Sequence, residues 1–364
     1  MNTNKLKAWL CLKQAPGLGQ KTAQKLLAEF PDPTDYVGRS DHPVYELPWL
    51  QVSTKDALRR GEEIKGFAGI VKHCERYEIG ITCLTDEDYP AALSSIYTPP
   101  IVLYYRGDLK TCEKLPILAV VGTRKPSSYG QEMARKLLAP LCERGVTIIS
   151  GLAMGIDTVA HRVALGNGAK TIGVLAGGLE SIYPPMNLNL ANEIVANGLL
   201  LSEYEPGSKM EKWNFPARNR IISALAPAVF IVEGSITSGA LLTGKFALEQ
   251  GRDVCALPGN INNINAQGPN YMIKSGARAV TCPEDLMDLL DIEETDDLQT
   301  EIFPQLSPEE ETIWLRLRES SSELSFDELM LGSGHNFGRL SVILLNLELK
   351  GLISKAGNGG YISN

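Results

Sequence analysis

The chain has 364 residues, 44% of them hydrophobic, and a formal net charge of −8, enough apolar content for two or three domains with cores of their own. No apolar run reaches the length of about 18 residues that a membrane span needs, and Met1-Asn2-Thr3-Asn4-Lys5 lacks a signal-peptide pattern, so a cytoplasmic protein is expected. Seven scattered cysteines without a C-x-x-C pair exclude a disulfide framework or a cysteine zinc site as the default and leave reduced core thiols.

Residues 1–112 carry 14 basic and 14 acidic side chains. They open with a helical pattern from Leu6 to Leu12, then Pro16-Gly17-Leu18-Gly19, then a second helical pattern from Lys21 to Phe30. A glycine-bearing turn between two short helices suits a helix-hairpin-helix or SAM-like unit whose amides meet a phosphate, but a tight interhelical turn is the preferred reading. The remainder, through Tyr89-Pro90 and Thr98-Pro99-Pro100, reads as a small helical domain running into an extended connector.

Residues 113–290 alternate apolar runs with amphipathic helices. Leu115 to Gly122 precedes a helix near Gln131–Arg144, Val146 to Gly151 precedes Asp157–Leu165, and Thr171 to Gly177 precedes Leu188–Ala196. Ala228 to Glu233 precedes Gly239–Gln250, and Asp253 to Leu257 leads into Pro258-Gly259. Continuous β-branched strands separated by helices predict an α/β fold with a doubly wound, mainly parallel, Rossmann-like sheet. Ligands of such sheets bind at the carboxyl ends of the strands, where the glycines lie.

The rest of the chain begins with an acidic linker over 291–306, and residues 291–364 hold all the excess acid, with a net charge of −9. Ser307-Pro308-Glu309-Glu310-Glu311 caps a helix running through Arg318, and helices over Ser325 to Leu331 and Arg339 to Leu349 precede a Gly-tipped hairpin from Leu352 to Ile362. Three helices and a hairpin form a winged-helix pattern over 307–364. Its 5 basic against 8 acidic residues favour a partner protein or a regulatory role over duplex DNA.

Three strand-to-helix turns and one loop carry the candidate chemistry. Gly122, Thr123 and Arg124 close the first apolar run; the spacing G-x-G-x-x-G of a dinucleotide site is missing because Lys125-Pro126 occupy it. Ser150-Gly151-Leu152-Ala153-Met154-Gly155 and Gly234-Ser235-Ile236-Thr237-Ser238-Gly239 are the other two turns. The loop Lys212-Trp213-Asn214-Phe215-Pro216-Ala217-Arg218-Asn219-Arg220 combines cations, aromatics and carboxamides without an acid, the mixture that suits phosphates and unstacked bases. It reads as a loop entering a helix near Asn219. A solvated basic turn with its aromatics in the core is the competing reading. Asp157 and His161 stand four apart but lack an accompanying nucleophile, so a structural hydrogen bond is expected of them. Glu203 and Glu205 flank Tyr204 on opposite sides of an extended strand and read as structural groups or oxygen acceptors. No catalytic triad, metal-ligand set or cofactor is expected.

These motifs together resemble the DNA-processing protein A (DprA, also called Smf) family. The resemblance rests on Val121-Gly122-Thr123-Arg124, Ser150 to Asp157 with Ala160-His161, Gly177-Gly178-Leu179 with Tyr183-Pro184, and Phe215 to Ile222. Ser238 to Thr243, Ala247 to Arg252, Ala256-Leu257-Pro258-Gly259 and Gln267-Gly268-Pro269-Asn270 extend it. The resemblance implies a cytoplasmic, non-enzymatic homodimer, joined through its Rossmann-like domain, that binds single-stranded DNA during competence, protects it and helps load RecA. By position, Arg124 and Lys212 would hold phosphates and Phe215 would stack on a base. Arg218, Asn219 and Arg220 would shape the groove and the Ser238-Gly239 turn would supply amides, with Gly122, Thr123, Ser150 and Gly151 at the same edge. The sheet also resembles the lonely-guy phosphoribohydrolases, but Thr237-Ser238-Gly239-Ala240 lacks their closely following glutamate, the nearest following acid being Glu249. A sensor of a small nucleotide is the remaining alternative.

Overall fold

A computed structural model of the chain describes residues 3–61, 64, 66–113, 116–208, 210–292, 306–320, 323–350, 352–355 and 360–363. Two units emerge, Met1–Glu293 and Glu294–Asn364. The anticipated acidic linker lies, apart from Asp291, Ile292 and Leu306, outside the described residues.

The first unit begins with helices α1 (Thr3–Gln14), α2 (Gln20–Glu29), α3 (Val52–Arg60) and α4 (Phe67–Arg76). The turn between α1 and α2 needs Gly17, whose φ is +76° and whose missing side chain leaves room for Gln51. Thr54 Oγ1 donates to the Pro16 carbonyl at 2.5 Å, so this turn is packed against α3. Strand β1 (Gly80–Cys83), the short helix α5 (Ala91–Ser94) and strand β2 (Val102–Gly107) follow. These strands lie in the segment expected to be helix and connector. They are short and flanked by prolines and acids, which hides their period in the sequence.

The alternating part runs β3 (Ile117–Val121), α6 (Ser128–Glu143), β4 (Thr147–Ser150), α7 (Ile156–Gly166), β5 (Thr171–Val174), α8 (Leu188–Asn197) and β6 (Leu199–Ser202). It continues through α9 (Asn214–Ala224), β7 (Ala228–Ile231), α10 (Gly239–Glu249), β8 (Asp253–Ala256), α11 (Gln267–Lys274), β9 (Arg278–Ala279) and α12 (Pro283–Leu289). All expected strands and helices form. β6, α11, β9 and α12 are additional, and the sheet extends to nine strands in the order β1-β2-β6-β5-β4-β3-β7-β8-β9. The pairs from β6 to β9 are parallel, while β1–β2 and β2–β6 are antiparallel.

Both faces of the sheet are covered, which is why the strands read as unbroken apolar runs. Along β3, Ile117, Ala119 and Val121 join a core with α9 and α10, while Leu118 and Val120 join another with α6, α7 and α12. The N-terminal helices pack with α8 around Trp9, Leu10, Leu26 and Leu190. The chain winds outward from β3 to β6, then returns to β7 on the other side of β3. The strand order therefore reverses between β3 and β7.

The second unit contains α13 (Pro308–Glu319), α14 (Phe326–Ser333), α15 (Phe337–Leu349) and the antiparallel hairpin β10 (Ile353–Lys355) and β11 (Tyr361–Ser363). Reciprocal capping boxes, Ser307 with Glu310 and Ser325 with Glu328, start its first two helices as their sequences predict. Ile313, Leu317, Leu329, Leu340, Leu344 and Ile353 close its core. The glycine tip of the hairpin falls outside the described residues.

Candidate functional site

The loops that leave β3, β4, β5 and β6 emerge on one edge of the sheet, and α9 closes over them. α9 starts at Asn214, five residues before the sequence reading placed it. Asn214 donates its side-chain amide to the Ala176 carbonyl at 3.0 Å, which pins the helix start to the loop after β5. Pro216 then takes a first-turn position, where a missing N–H breaks no intrahelical bond. Phe215 is thereby held in a helical turn instead of a loop.

An open cleft lies beside it. Its walls are Arg124 from the β3 loop, Ala153 and Met154 from the β4 loop, Tyr183 and Pro184 from the β5 loop, and Phe215 and Arg218 from α9. The Tyr183 ring meets Phe215 edge-on at 5.8 Å between centroids, with an interplanar angle of 67°. The guanidinium carbons of Arg124 and Arg218 lie 5.4 and 5.8 Å from the Phe215 centroid. Arg124 and Lys212 are exposed, and Trp213 beside Lys212 is 70% exposed, so the competing picture of aromatics tucked into the core fails for Trp213.

The other basic residues of the loop face inward. Arg218 is 6% exposed and donates to the carbonyls of Gly151 and Val174, and burial lowers its pKa to about 10, leaving it cationic at neutral pH. It stands beside Asp157, whose carboxylate accepts from the Gly151 and Ala153 amides at 3.2 and 3.3 Å. Burial raises the Asp157 pKa while Arg218 opposes the rise. Asp157 thus organises the β4 loop. His161 is fully buried and pairs elsewhere: its Nδ1 is 2.7 Å from Thr171 Oγ1. That hydroxyl donates to the Ile148 carbonyl at 2.8 Å, so Nδ1 carries the proton. Burial pushes the imidazole down to about 3. Asp157 and His161 are structural, as their sequence context suggests.

Arg220 contacts Glu203 at 2.6 Å, both with side chains no more than 10% exposed. Gln20 donates to the same carboxylate at 3.4 Å, and Lys13 donates to the Glu203 carbonyl at 2.6 Å and lies 3.6 Å from Glu205. The first helices of the chain are thereby tied to the loop that carries Lys212. Burial lowers the Lys13 pKa, and Glu205 and Glu203 counter it. β6 ends at Ser202, so Glu203 and Glu205 leave the strand and both meet the α1 end.

The glycine turns also resolve individually. A side chain at Gly122 would run into Ile156, and one at Gly151 into the Arg218 guanidinium. Ser150 is buried, donating to the Val120 carbonyl at 2.6 Å. Thr123 donates its amide to the Glu233 carbonyl at 2.7 Å, and its hydroxyl accepts from the Lys125 amide at 3.2 Å. Asn219 donates to the Gly239 carbonyl at 3.1 Å, joining α9 to the start of α10, where Gly239 faces open space. Ser238 caps α10 through its backbone, and its buried hydroxyl has no partner among the described residues. Arg124, Phe215 and Arg218 therefore share one cleft, Lys212 precedes it, and Gly122, Ser150, Gly151 and Arg220 belong to the scaffold beneath. Met154, Tyr183 and Pro184 line the cleft without having been assigned a role. Their sequence signal is weak: an aromatic and a thioether in loops just after apolar strands.

Among the described residues no group of three or more His, Cys, Asp or Glu is placed to hold a metal ion, and no helix is long and apolar enough to cross a membrane. The family model described as DNA recombination-mediator protein A matches residues 80–291, and that of the DprA winged helix domain matches 294–359. This chain belongs to the DprA/Smf family. The DprA family member of Bacillus subtilis is 40% identical over 250 residues, spanning 67% of this chain and 84% of its own. Protein Smf of Escherichia coli is 38% identical over 284 residues, 76% of this chain and 75% of its own. The structure of Streptococcus pneumoniae DprA superimposes with a TM-score of 0.68 at 33% identity, covering 79% of this chain and 98% of that one. Helicobacter pylori DprA, whose structure describes a single-stranded DNA binding mode, gives 0.54 at 31% identity, covering 58% of this chain and 95% of that one.

Proposed function

We propose that this protein binds single-stranded DNA along the carboxyl edge of its sheet. The observation that carries the reading is the half-buried Phe215 ring, with two guanidinium groups within 6 Å, at the wall of an open cleft. The Phe215 ring offers an unstacked base a face to stack on, and the exposed Arg124 and Lys212 beside it suit the flanking phosphates. Asn219 and the Ser238-Gly239 turn extend the track toward α10, while Gly122, Thr123, Ser150, Gly151, Arg218 and Arg220 hold its shape. The single-stranded DNA binding described for the Helicobacter pylori relative supports the ligand class.

The role we infer follows: a cytoplasmic, non-enzymatic protein that shields single strands in natural transformation and passes them to RecA. It acts as a homodimer through the Rossmann-like domain, a reading supported by Ile261 and Ile264, 81% and 64% exposed after β8. Sedimentation of the full chain tests the dimer.

The binding reading is tested by fluorescence anisotropy of a labelled oligonucleotide, single- or double-stranded, with unlabelled mononucleotide as competitor. Tight single-strand binding that duplex and mononucleotide barely displace is the expected result. Efficient competition by a mononucleotide would replace this reading with that of a nucleotide sensor or nucleotide hydrolase.

A further inference from the structure

The carboxyl edge of the sheet does not end at β6. β2 runs antiparallel to β6, with Tyr104 opposite Ser202, so the segment that enters β2 lies at the same edge as the loops leaving β5 and β6. Neighbouring strands are about 4.8 Å apart and β2 stands two places from β5, so these strand ends are separated by on the order of 10 Å. Leu93 and Ile96 of the entering segment pack with Ile221 and Ile222 of α9. The segment therefore sits on the face of the sheet that α9 covers, the helix that carries Phe215.

What it presents there is an aromatic ring beside a cation. Tyr97 is 70% exposed, and Lys21 Nζ stands 5.3 Å from its ring centroid. One turn further along α2, about 6 Å away, Lys25 Nζ lies 4.2 Å from the centroid of the half-buried Trp49. Both lysines are exposed. The Phe215 cleft offers the same alternation of rings and cations, with guanidinium groups in place of ammonium groups. The two places are also tied together. Gln20, the neighbour of Lys21, donates to Glu203 at 3.4 Å, and Glu203 pairs with Arg220 of α9 at 2.6 Å. The two carboxylates that follow β6 are thus engaged, Glu205 lying 3.6 Å from Lys13.

We propose that the N-terminal helices prolong the path of the single strand: Tyr97 is a second platform on which a base stacks, and Lys21 and Lys25 take the phosphates beside it. The inference rests on the single-strand reading of the Phe215 cleft and lengthens it by one aromatic station. A single strand suits this surface because its bases are free to turn toward an exposed ring, and an ammonium group beside the ring meets the backbone that carries them.

The test is anisotropy of an oligothymidylate of about 20 nucleotides, long enough to occupy both stations, with the full-length protein. Tyr97→Ala is expected to weaken binding about fivefold or more and Tyr97→Phe, which keeps the ring, to bind as the wild type does. Lys21→Ala is expected to lower the slope of log affinity against log salt by about 0.7. Wild-type affinity in both Tyr97→Ala and Lys21→Ala would overturn the prolonged path and leave the Phe215 cleft standing. A wild type that binds no single strand would remove both. Should Tyr97→Ala fail to fold, photocrosslinking of the wild type to the same strand bearing an iodinated uracil decides. A crosslinked peptide containing Tyr97 is expected, and crosslinks confined to the Phe215 cleft would overturn the proposal.

Discussion

Phe215 and Lys212 are close in sequence but make separable contributions. Phe215 offers a ring to a base, so Phe215→Ala is expected to weaken single-strand affinity by about 1–3 kcal/mol, roughly 5- to 150-fold, with little change in the salt dependence. Lys212 is exposed and offers only charge. Lys212→Ala is expected to weaken binding and to lower the slope of log affinity against log salt by about 0.7–1. Anisotropy titrations over a salt series check both, and an unchanged slope would remove Lys212 from the phosphate contacts. His161 makes a different kind of prediction. Burial holds its folded pKa near 3, below the unfolded value of about 6.5, so the stability it contributes is complete above pH ~6.5. That contribution is lost as the pH falls toward 3, by at most ~1.4 kcal/mol per pH unit. Asp157, whose pKa burial raises, acts in the opposite sense, so the readout is a difference between proteins. His161→Gln is expected to flatten the acid limb of melting temperature against pH, and an acid limb as steep as the wild type's would refute the assignment.

At the scale of elements, the cleft is held by helices and loops that meet through buried polar contacts. The start of α9 is tied to the loop after β5 by Asn214, and Arg218 in its second turn binds the Gly151 and Val174 carbonyls. Gly155, with φ +83° and no room for a Cβ against the Thr123 and Arg124 backbone, lets the β3 and β4 loops touch. On the far side, Glu203 gathers Arg220, Gln20 and, through its carbonyl, Lys13. Removing one partner of a buried ion pair leaves the other charge uncompensated. Glu203→Ala is therefore expected to destabilise the first unit by about 3 kcal/mol and to loosen the Lys212 loop, lowering single-strand affinity in native conditions. Denaturant unfolding and anisotropy on the same preparation check this, and a variant as stable as wild type would dissolve the argued coupling between the first helices and the loop.

For the whole molecule, charge separates along the chain: residues 113–290 are nearly neutral, and residues 291–364 carry −9. The unit Met1–Glu293 contains the cleft, the full nine-stranded sheet and the N-terminal helices. A chain ended at Glu293 is expected to stay folded and to bind single strands at least as tightly as the full protein, with the gain largest at low salt, where the acidic segment's field is least screened. Circular dichroism and anisotropy of that truncation measure it. Loss of binding would instead place DNA contacts on the winged helix.

The sequence by itself determined the alternating strands and helices of 113–290, the winged-helix pattern and the family, because these are written in local periodicity, capping residues and ordered motifs. It also marked Arg124, Lys212 and Phe215 by residue type. It did not disclose that β1 and β2 complete the sheet, since a four-residue strand has too short a period to stand out. Nor did it separate Arg218 and Arg220 from Arg124 and Lys212: four cations look alike in a string, and only packing decides which are spent on carbonyls and a carboxylate. The same holds for Tyr97, one aromatic before one short strand until β2 is laid against β6. Local chemistry is legible in the chain, while the partner of each polar group is set by distances across the fold.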